Sequence, residues 1–324
     1  MKAIRFIFTT AAALVAAVAV SAQPNTKLRP QETVLLYADS FEENIDLVYG
    51  EKISYAGFEM EKANGLEGPE TLPANGNLGN ISKLARFDLY FPKKPNGQMV
   101  IVCPGGGYSI VSSYNEGIYV ADWMLERGIT VAVVKYRLPN YNHSIPYKDV
   151  ENTFRYCRAN AEKWGVKQIG VMGFSAGGHL AATASTLWPD AVTRPDFSIL
   201  IYPVTTLNPG TTHHGTHKNL LGAKNMIREK YLDRYSLDKQ VSRFTPPTFI
   251  THCSDDSTVP AENSLQYYNR LIDVCVPVEM HMWPTGGHGW GFSAEKFVGK
   301  GKDKFVYARE EFERSLERWL EALR

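Results

Sequence analysis

Hydrophobic and polar positions fall into a regular rhythm from about residue 81 onward. Short apolar runs at 100–102, 130–134, 169–172, 198–202, 248–251 and 278–282 have the length and continuity of buried strands. Between them apolar residues recur at helical spacing. Val150, Phe154, Cys157, Ala161 and Trp164 share one helix face, and further helices are expected at 119–127, from Ala176, and over 263–272. A last helix carries Phe305, Phe312, Leu316, Trp319 and Leu323 on its buried stripe. Residues 84–90 alternate as an edge strand does, and 92–97 close it with a turn. Alternation of this kind predicts an α/β fold: a mostly parallel central sheet with helices on both faces.

Two stretches depart from the rhythm. Residues 23–80 give only weak strand signals, at 35–37 and 53–55, before a Gly-, Pro- and Asn-rich loop over 63–80. Residues 205–243 form a polar excursion after a strand, read either as a lid or pocket wall or as a decorated surface loop. His213, His214 and His217 lie there without a carboxylate at matching spacing, so they read as solvated loop histidines and no metal is expected. No repeat or linker interrupts the chain, and 23–324 is read as one domain.

Residues 1–22 have the make-up of a secretory signal peptide. Lys2 and Arg5 precede an apolar stretch from Ala11 to Val20, and Val20-Ser21-Ala22 suits cleavage before Gln23. The apolar run is too short to span a bilayer, which takes roughly 20 residues. The mature chain is therefore expected outside the cytoplasm, secreted or periplasmic, with no membrane span. Loss of Lys2 and Arg5 leaves 33 basic against 34 acidic residues. That balance gives no basic patch for nucleic acid and no acidic tail. Cys103, Cys157, Cys253 and Cys275 lack CxxC spacing and lie in apolar or motif-bearing segments. They read as buried thiols, with disulfides the alternative that export would permit.

The chemistry concentrates in four places. Gly173-Phe174-Ser175-Ala176-Gly177 fits G-x-S-x-G, with a strand before it and a helix after it. A nucleophilic serine on so sharp a turn leaves no room for side chains two residues either side, hence the glycines. Cys103-Pro104-Gly105-Gly106-Gly107-Tyr108 ends an earlier buried strand, where an oxyanion loop belongs. Backbone N–H donors are expected from Ala176 and from Gly105 or Gly106. After the run at 248–251 come Asp255 and Asp256; Asp256, three residues before Val259-Pro260, is the expected acid, and Asp255 caps the loop. His288, in Gly286-Gly287-His288-Gly289, follows the last run and is the expected base. The order Ser, Asp, His is that of the α/β-hydrolase fold. His179 reads as structural, and Asp149 as a first-turn charge on its helix. Tyr108, Tyr114 and Trp290 flank the motifs and are candidates to stack on a sugar ring, with wall or core packing the other reading.

From about Arg86 to Trp290 the chain resembles secreted bacterial acetyl xylan esterases and related carbohydrate esterases. The strings that carry the resemblance are Pro104 to Tyr108, Glu116-Gly117, Tyr136-Arg137-Leu138-Pro139, Gly173 to His179, Asn219-Leu220-Leu221-Gly222, Asp255-Asp256 with Val259-Pro260, and Gly286 to Gly289. The resemblance implies a triad of Ser175, Asp256 and His288, no cofactor, and removal of O-acetyl groups from plant polysaccharide, with an acylated carbohydrate or small ester as substrate. Pro104 stands where the lipase-like branch has His. A dipeptidyl-peptidase-like or general carboxylesterase activity is the rival reaction, and a non-catalytic glycan-binding module on a hydrolase scaffold the rival class.

Overall fold

The computed structural model describes residues 24–37, 50–61 and 66–324, so the expected signal segment lies outside the described residues. Its strands are β1 (Glu32–Tyr37), β2 (Lys52–Phe58), β3 (Asn77–Gly79), β4 (Arg86–Tyr90), β5 (Gln98–Cys103), β6 (Ile110–Ser112), β7 (Thr130–Lys135), β8 (Gln168–Phe174), β9 (Ser198–Ile201), β10 (Thr248–Cys253) and β11 (Val278–Trp283). Its helices are α1 (Tyr119–Glu126), α2 (Ser144–Trp164), α3 (Ser175–Thr186), α4 (His214–Asn225), α5 (Glu229–Tyr235), α6 (Glu262–Asp273), α7 (Glu295–Val298) and α8 (Arg309–Ala322).

Nine strands make one sheet in the order β11-β10-β9-β8-β5-β7-β4-β1-β2. From β11 to β7 every pairing is parallel, and β4 alone runs antiparallel to both its neighbours. The residues of β5 explain why its pattern reads as a continuous apolar run. Met99, Ile101 and Cys103 enter one core with Val150 and Phe154 of α2, Leu180 of α3 and Leu271 of α6. Val100 and Val102 enter the opposite core with Val120 of α1 and Phe312, Leu316 and Trp319 of α8. Both faces are covered, so both faces must be apolar.

Several expectations need correction. The 84–90 segment is no edge: β4 lies inside the sheet between β7 and β1. Its polar alternation is internal, because buried Arg86 pairs with Glu70 at 3.0 Å and buried Asp88 pairs with Lys135 and accepts from Thr33 Oγ1 at 2.7 Å. Asp149 does not open α2, which begins five residues earlier at Ser144. It is fully buried and receives Arg137 Nη2 at 2.7 Å and Tyr37 Oη at 2.5 Å, a structural clamp. Phe305 packs in the core before α8 rather than on it. All four cysteines are free thiols, but Cys275 is exposed just after α6, whereas Cys103, Cys157 and Cys253 are buried.

Candidate active site

The chain leaves β8 and enters α3 at Ser175, which is held at φ 52°. That left-handed conformation is costly for a residue with a side chain and is sustained by the packing around it. A Cβ on Gly173 would sit 2.1 Å from the Gly177 carbonyl, and one on Gly177 would sit 2.1 Å from the Cys103 carbonyl. The turn closes this tightly only because both positions are glycine.

The loops after β10 and β11 bring the other two groups to this turn. His288 Nε2 lies 2.8 Å from Ser175 Oγ, and Nδ1 lies 2.6 Å from Asp256 Oδ2. A carboxylate only accepts, so Nδ1 carries the proton and Nε2 is left as the acceptor for the serine hydroxyl. Asp256 is buried, which pushes its carboxyl up. Hydrogen bonds from His252 and His288, and the amide of Val259, more than offset this and hold it well below the usual carboxylate range. Asp255 stands beside it in a different role. Its carboxylate accepts the Gly286 and Gly287 amides at 3.2 and 2.8 Å and shapes the turn that carries His288.

Two groups at this centre escaped the motif reading. His252, fully buried in β10, donates from Nε2 to Val259 O at 3.0 Å and Asp256 Oδ2 at 3.2 Å, while Nδ1 accepts from Ser264 Oγ at 2.8 Å. It meets the same carboxylate oxygen as His288 does. Glu116 is buried in a π-helical turn, Tyr114–Ile118, that runs into α1. Its Oε2 accepts the Gly105 amide at 2.7 Å and its Oε1 accepts Tyr202 Oη–H at 2.8 Å. Tyr202 Oη in turn accepts the Gly291 amide at 2.9 Å, and its ring lies 4.7 Å from the His288 ring between centroids. Burial raises the Glu116 carboxyl, against the Tyr202 and Gly105 hydrogen bonds and the nearby His288. Glu116 figured in the sequence only within one string of the resemblance, with no role attached, and His252 gave no signal.

One of the two glycine donors expected in the loop after β5 is already engaged. Gly105 N–H is taken by Glu116, so it is not available to a substrate oxygen. Gly106 is the position left, together with Ala176, whose N–H lies in the first turn of α3 and has no intrahelical acceptor. Four successive carbonyls of the loop are pinned: Pro104 by Tyr136 Oη at 2.6 Å, Gly105 by the Ser112 amide at 3.0 Å, Gly106 by the Ser109 amide at 3.0 Å, and Gly107 by Asn219 Nδ2 at 2.8 Å.

Tyr108, Tyr114 and Trp290 all pack into the protein, and Tyr108 also lines a surface cleft beside the glycine loop. Each is buried: Tyr108 Oη meets His179 Nδ1 at 3.1 Å, Tyr114 packs against Gly76 and Tyr119, and Trp290 stacks on Phe305 at 4.0 Å between centroids. Their rings belong to the two cores, which is the packing reading. His179 Nε2 meets Tyr235 O at 2.9 Å, and burial holds its imidazole down at about 4. The excursion histidines are not all solvated either. His217 is buried, and His213 caps α4 through Thr216 within electrostatic reach of His288 and Asp256. Among the described residues no group of three or more His, Cys, Asp or Glu side chains is placed to hold a metal ion. Among them, too, no helix is long and apolar enough to cross a membrane.

A sheet of this order, with a serine at the sharp turn after a central strand and a histidine after the last one, defines the α/β-hydrolase fold. Within it the chain belongs to the BD-FAE family, whose model matches residues 87–271. The match takes in Ser175 and Asp256 and ends before His288. The chain is 39% identical over 220 residues to an acetylxylan esterase of Xylanibacter ruminicola, covering 67% of this chain and 45% of that protein. It is 34% identical over 214 residues to endo-1,4-beta-xylanase B of Butyrivibrio fibrisolvens, covering 61% and 33%. The chain thus spans less than half the length of either relative. An acetyl ester-xyloside bifunctional hydrolase from Caldicellulosiruptor lactoaceticus superposes with a TM-score of 0.63 at 33% identity, covering 74% of this chain and 88% of its own.

Proposed function

We propose that this protein is an exported serine esterase that removes acyl groups, O-acetyl foremost, from plant polysaccharide such as acetylated xylan. The observation that carries the reading is the unbroken line of hydrogen bonds from Ser175 Oγ through His288 to Asp256. His288 Nε2 takes the serine proton as Oγ attacks the ester carbonyl, and the imidazolium that forms faces an ionised Asp256. The oxygen of the tetrahedral intermediate gathers charge between the amides of Gly106 and Ala176. The imidazolium then gives that proton to the ester oxygen of the sugar, which leaves as a hydroxyl, and water, deprotonated by the same histidine, attacks the acyl carbonyl and releases the acid from Ser175. No cofactor enters these steps. Likeness to an acetylxylan esterase and to an acetyl ester-xyloside hydrolase supports acetylated xylan as the substrate class. Export rests on residues 1–22, with Gln23 as the mature N-terminus.

The test is acetate release from acetylated xylan and from 4-nitrophenyl acetate by the full chain, with Ser175→Ala beside it. The reading expects both substrates to be cleaved and the variant to lose at least about 10⁴-fold in kcat. Full activity in Ser175→Ala overturns the nucleophile. Amine release from peptides without acetate from either ester moves the activity to the peptidase side.

A further inference from the structure

The string Asn219-Leu220-Leu221-Gly222 lies in α4, and the mechanism above does not use it. Its two ends hold two different things. Asn219 Nδ2 donates to the Gly107 carbonyl at 2.8 Å, next to the oxyanion donor at Gly106. The Asn219 carbonyl accepts the Tyr141 amide at 3.0 Å. Gly222, at φ 72° and ψ 162°, breaks the helix where a Cβ would come within 3.0 Å of the Tyr141 side chain. One short segment therefore fixes the position of Tyr141 relative to the oxyanion loop.

Tyr141 is an unusual residue to fix. It is 53% exposed, and it follows Asn140 in a pair of consecutive non-glycine residues at positive φ, 41° and 71°. Strain maintained on an exposed aromatic marks a side chain held out for contact rather than for packing. Beside it lies a cleft of about 240 Å³ lined by five neutral polar residues, Asn80, Ser109, Asn140, Tyr141 and Asn219, and completed by Leu66, Tyr108 and Leu138. That is below the roughly 300–1,000 Å³ that encloses a drug-sized ligand, and it suits one ring of a chain that passes across the surface. Ser109 Oγ donates to the Gly106 carbonyl at 3.0 Å, so the cleft abuts the donor itself.

We propose that this cleft is a sugar subsite, and that it takes an uncharged pyranose unit of the acylated chain with Tyr141 as its stacking platform. The chemistry of the lining selects the ligand. The described lining carries amide, hydroxyl and phenol groups and no charged side chain, a set that suits sugar hydroxyls better than a uronate carboxylate or a phosphate. The Asn80 amide nitrogen donates to the carbonyls of Glu67 and Gly68 at 2.6 and 2.8 Å, and that of Asn219 donates to Gly107. Their Oδ1 atoms are the groups left for a ligand, and acceptors beside an aromatic face match the hydroxyls and C–H face of a neutral sugar. The inference rests on the esterase reading and narrows its substrate to neutral polymers such as xylan, against acetylated pectin.

The test separates the two. Binding is read by calorimetry on the Ser175→Ala full chain, titrated with acetylated xylo-oligosaccharide and with acetylated oligogalacturonate. It is repeated with Tyr141→Asn added, a residue that tolerates the left-handed backbone, and with Tyr141→Phe. The subsite predicts binding of the xylo-oligosaccharide over the galacturonate, weakened about tenfold by Tyr141→Asn and retained by Tyr141→Phe. In chains with Ser175 intact, Tyr141→Asn lowers the ratio of kcat/KM on acetylated xylo-oligosaccharide to that on 4-nitrophenyl acetate by the same factor. Equal affinity in Tyr141→Asn, an unchanged ratio, or preference for the galacturonate overturns the subsite. Failure of the wild-type chain to cleave 4-nitrophenyl acetate overturns the esterase reading instead, and the binding titration still decides the cleft.

Discussion

Glu116 links three parts of the centre that are far apart in sequence: the oxyanion loop through Gly105, the Tyr202 ring against His288, and the histidine loop through Gly291. Its side chain touches no reacting atom, so it acts by position. In Glu116→Gln one oxygen becomes an NH₂ that opposes either the Gly105 amide or the Tyr202 hydroxyl, both donors here. The loop that aims Gly106 loosens while substrate binding sites stay in place. The expected outcome is a roughly 10- to 100-fold fall in kcat on 4-nitrophenyl acetate, with KM within about twofold. Steady-state kinetics on a variant whose melting temperature matches the parent would check it, and an unchanged kcat would reduce Glu116 to a packing group. The Asp255 and Asp256 pair makes the same point about adjacent residues. One carboxylate orders the turn and its neighbour meets the imidazole, because the backbone aims them apart.

Among the elements, α3 is tied on two sides by His179, to Tyr108 of the oxyanion loop and to the carbonyl of Tyr235 at the end of α5. The folded imidazole titrates at about 4, the unfolded one near its ordinary 6.5. Between those values the unfolded chain binds more protons, so stability rises with pH across the window and falls on acidification. Buried His179 contributes on the order of 2 kcal/mol of that loss by pH 5. His143, His213 and His217 are also lowered by burial and act with the same sign, so the comparison must isolate one. Urea unfolding at pH 7.5 and pH 5 should show the difference shrinking in His179→Gln by about that amount. An unchanged difference would contradict the assignment.

Legibility at this scale followed burial. The strands β5, β7 and β8 were plain because both their faces are apolar, and the motifs sat where those strands end. β4 misled because periodicity reads Arg86 and Asp88 as solvent-facing, whereas each finds an ion partner inside the sheet. The start of α2 was missed for the same reason: Asp149 looks like a first-turn charge until Arg137 and Tyr37 are beside it. Of the site, Ser175, His288 and Asp256 carried local signals in glycine turns and post-strand loops. Glu116 and His252 did not, since their roles are defined by contacts such as Tyr202, 86 residues from Glu116, and no spacing rule reaches across that distance.

For the molecule as a whole, the sheet order puts the ends of β8, β10 and β11 along one edge, with β5 delivering the oxyanion loop beside β8. The same two cores that keep the strands apolar hold that edge, and a hydroxyl, an imidazole and a carboxylate from residues 175, 288 and 256 meet there in hydrogen-bond contact. Such a serine should be the single activated hydroxyl in the chain. Intact-mass and peptide-mapping measurement after exposure to an organophosphonate ester tests this most directly. One adduct per chain is expected, on Ser175, formed in step with loss of esterase activity and absent in Ser175→Ala. An adduct on another residue, or inactivation of the Ser175→Ala chain at the parent rate, would contradict it.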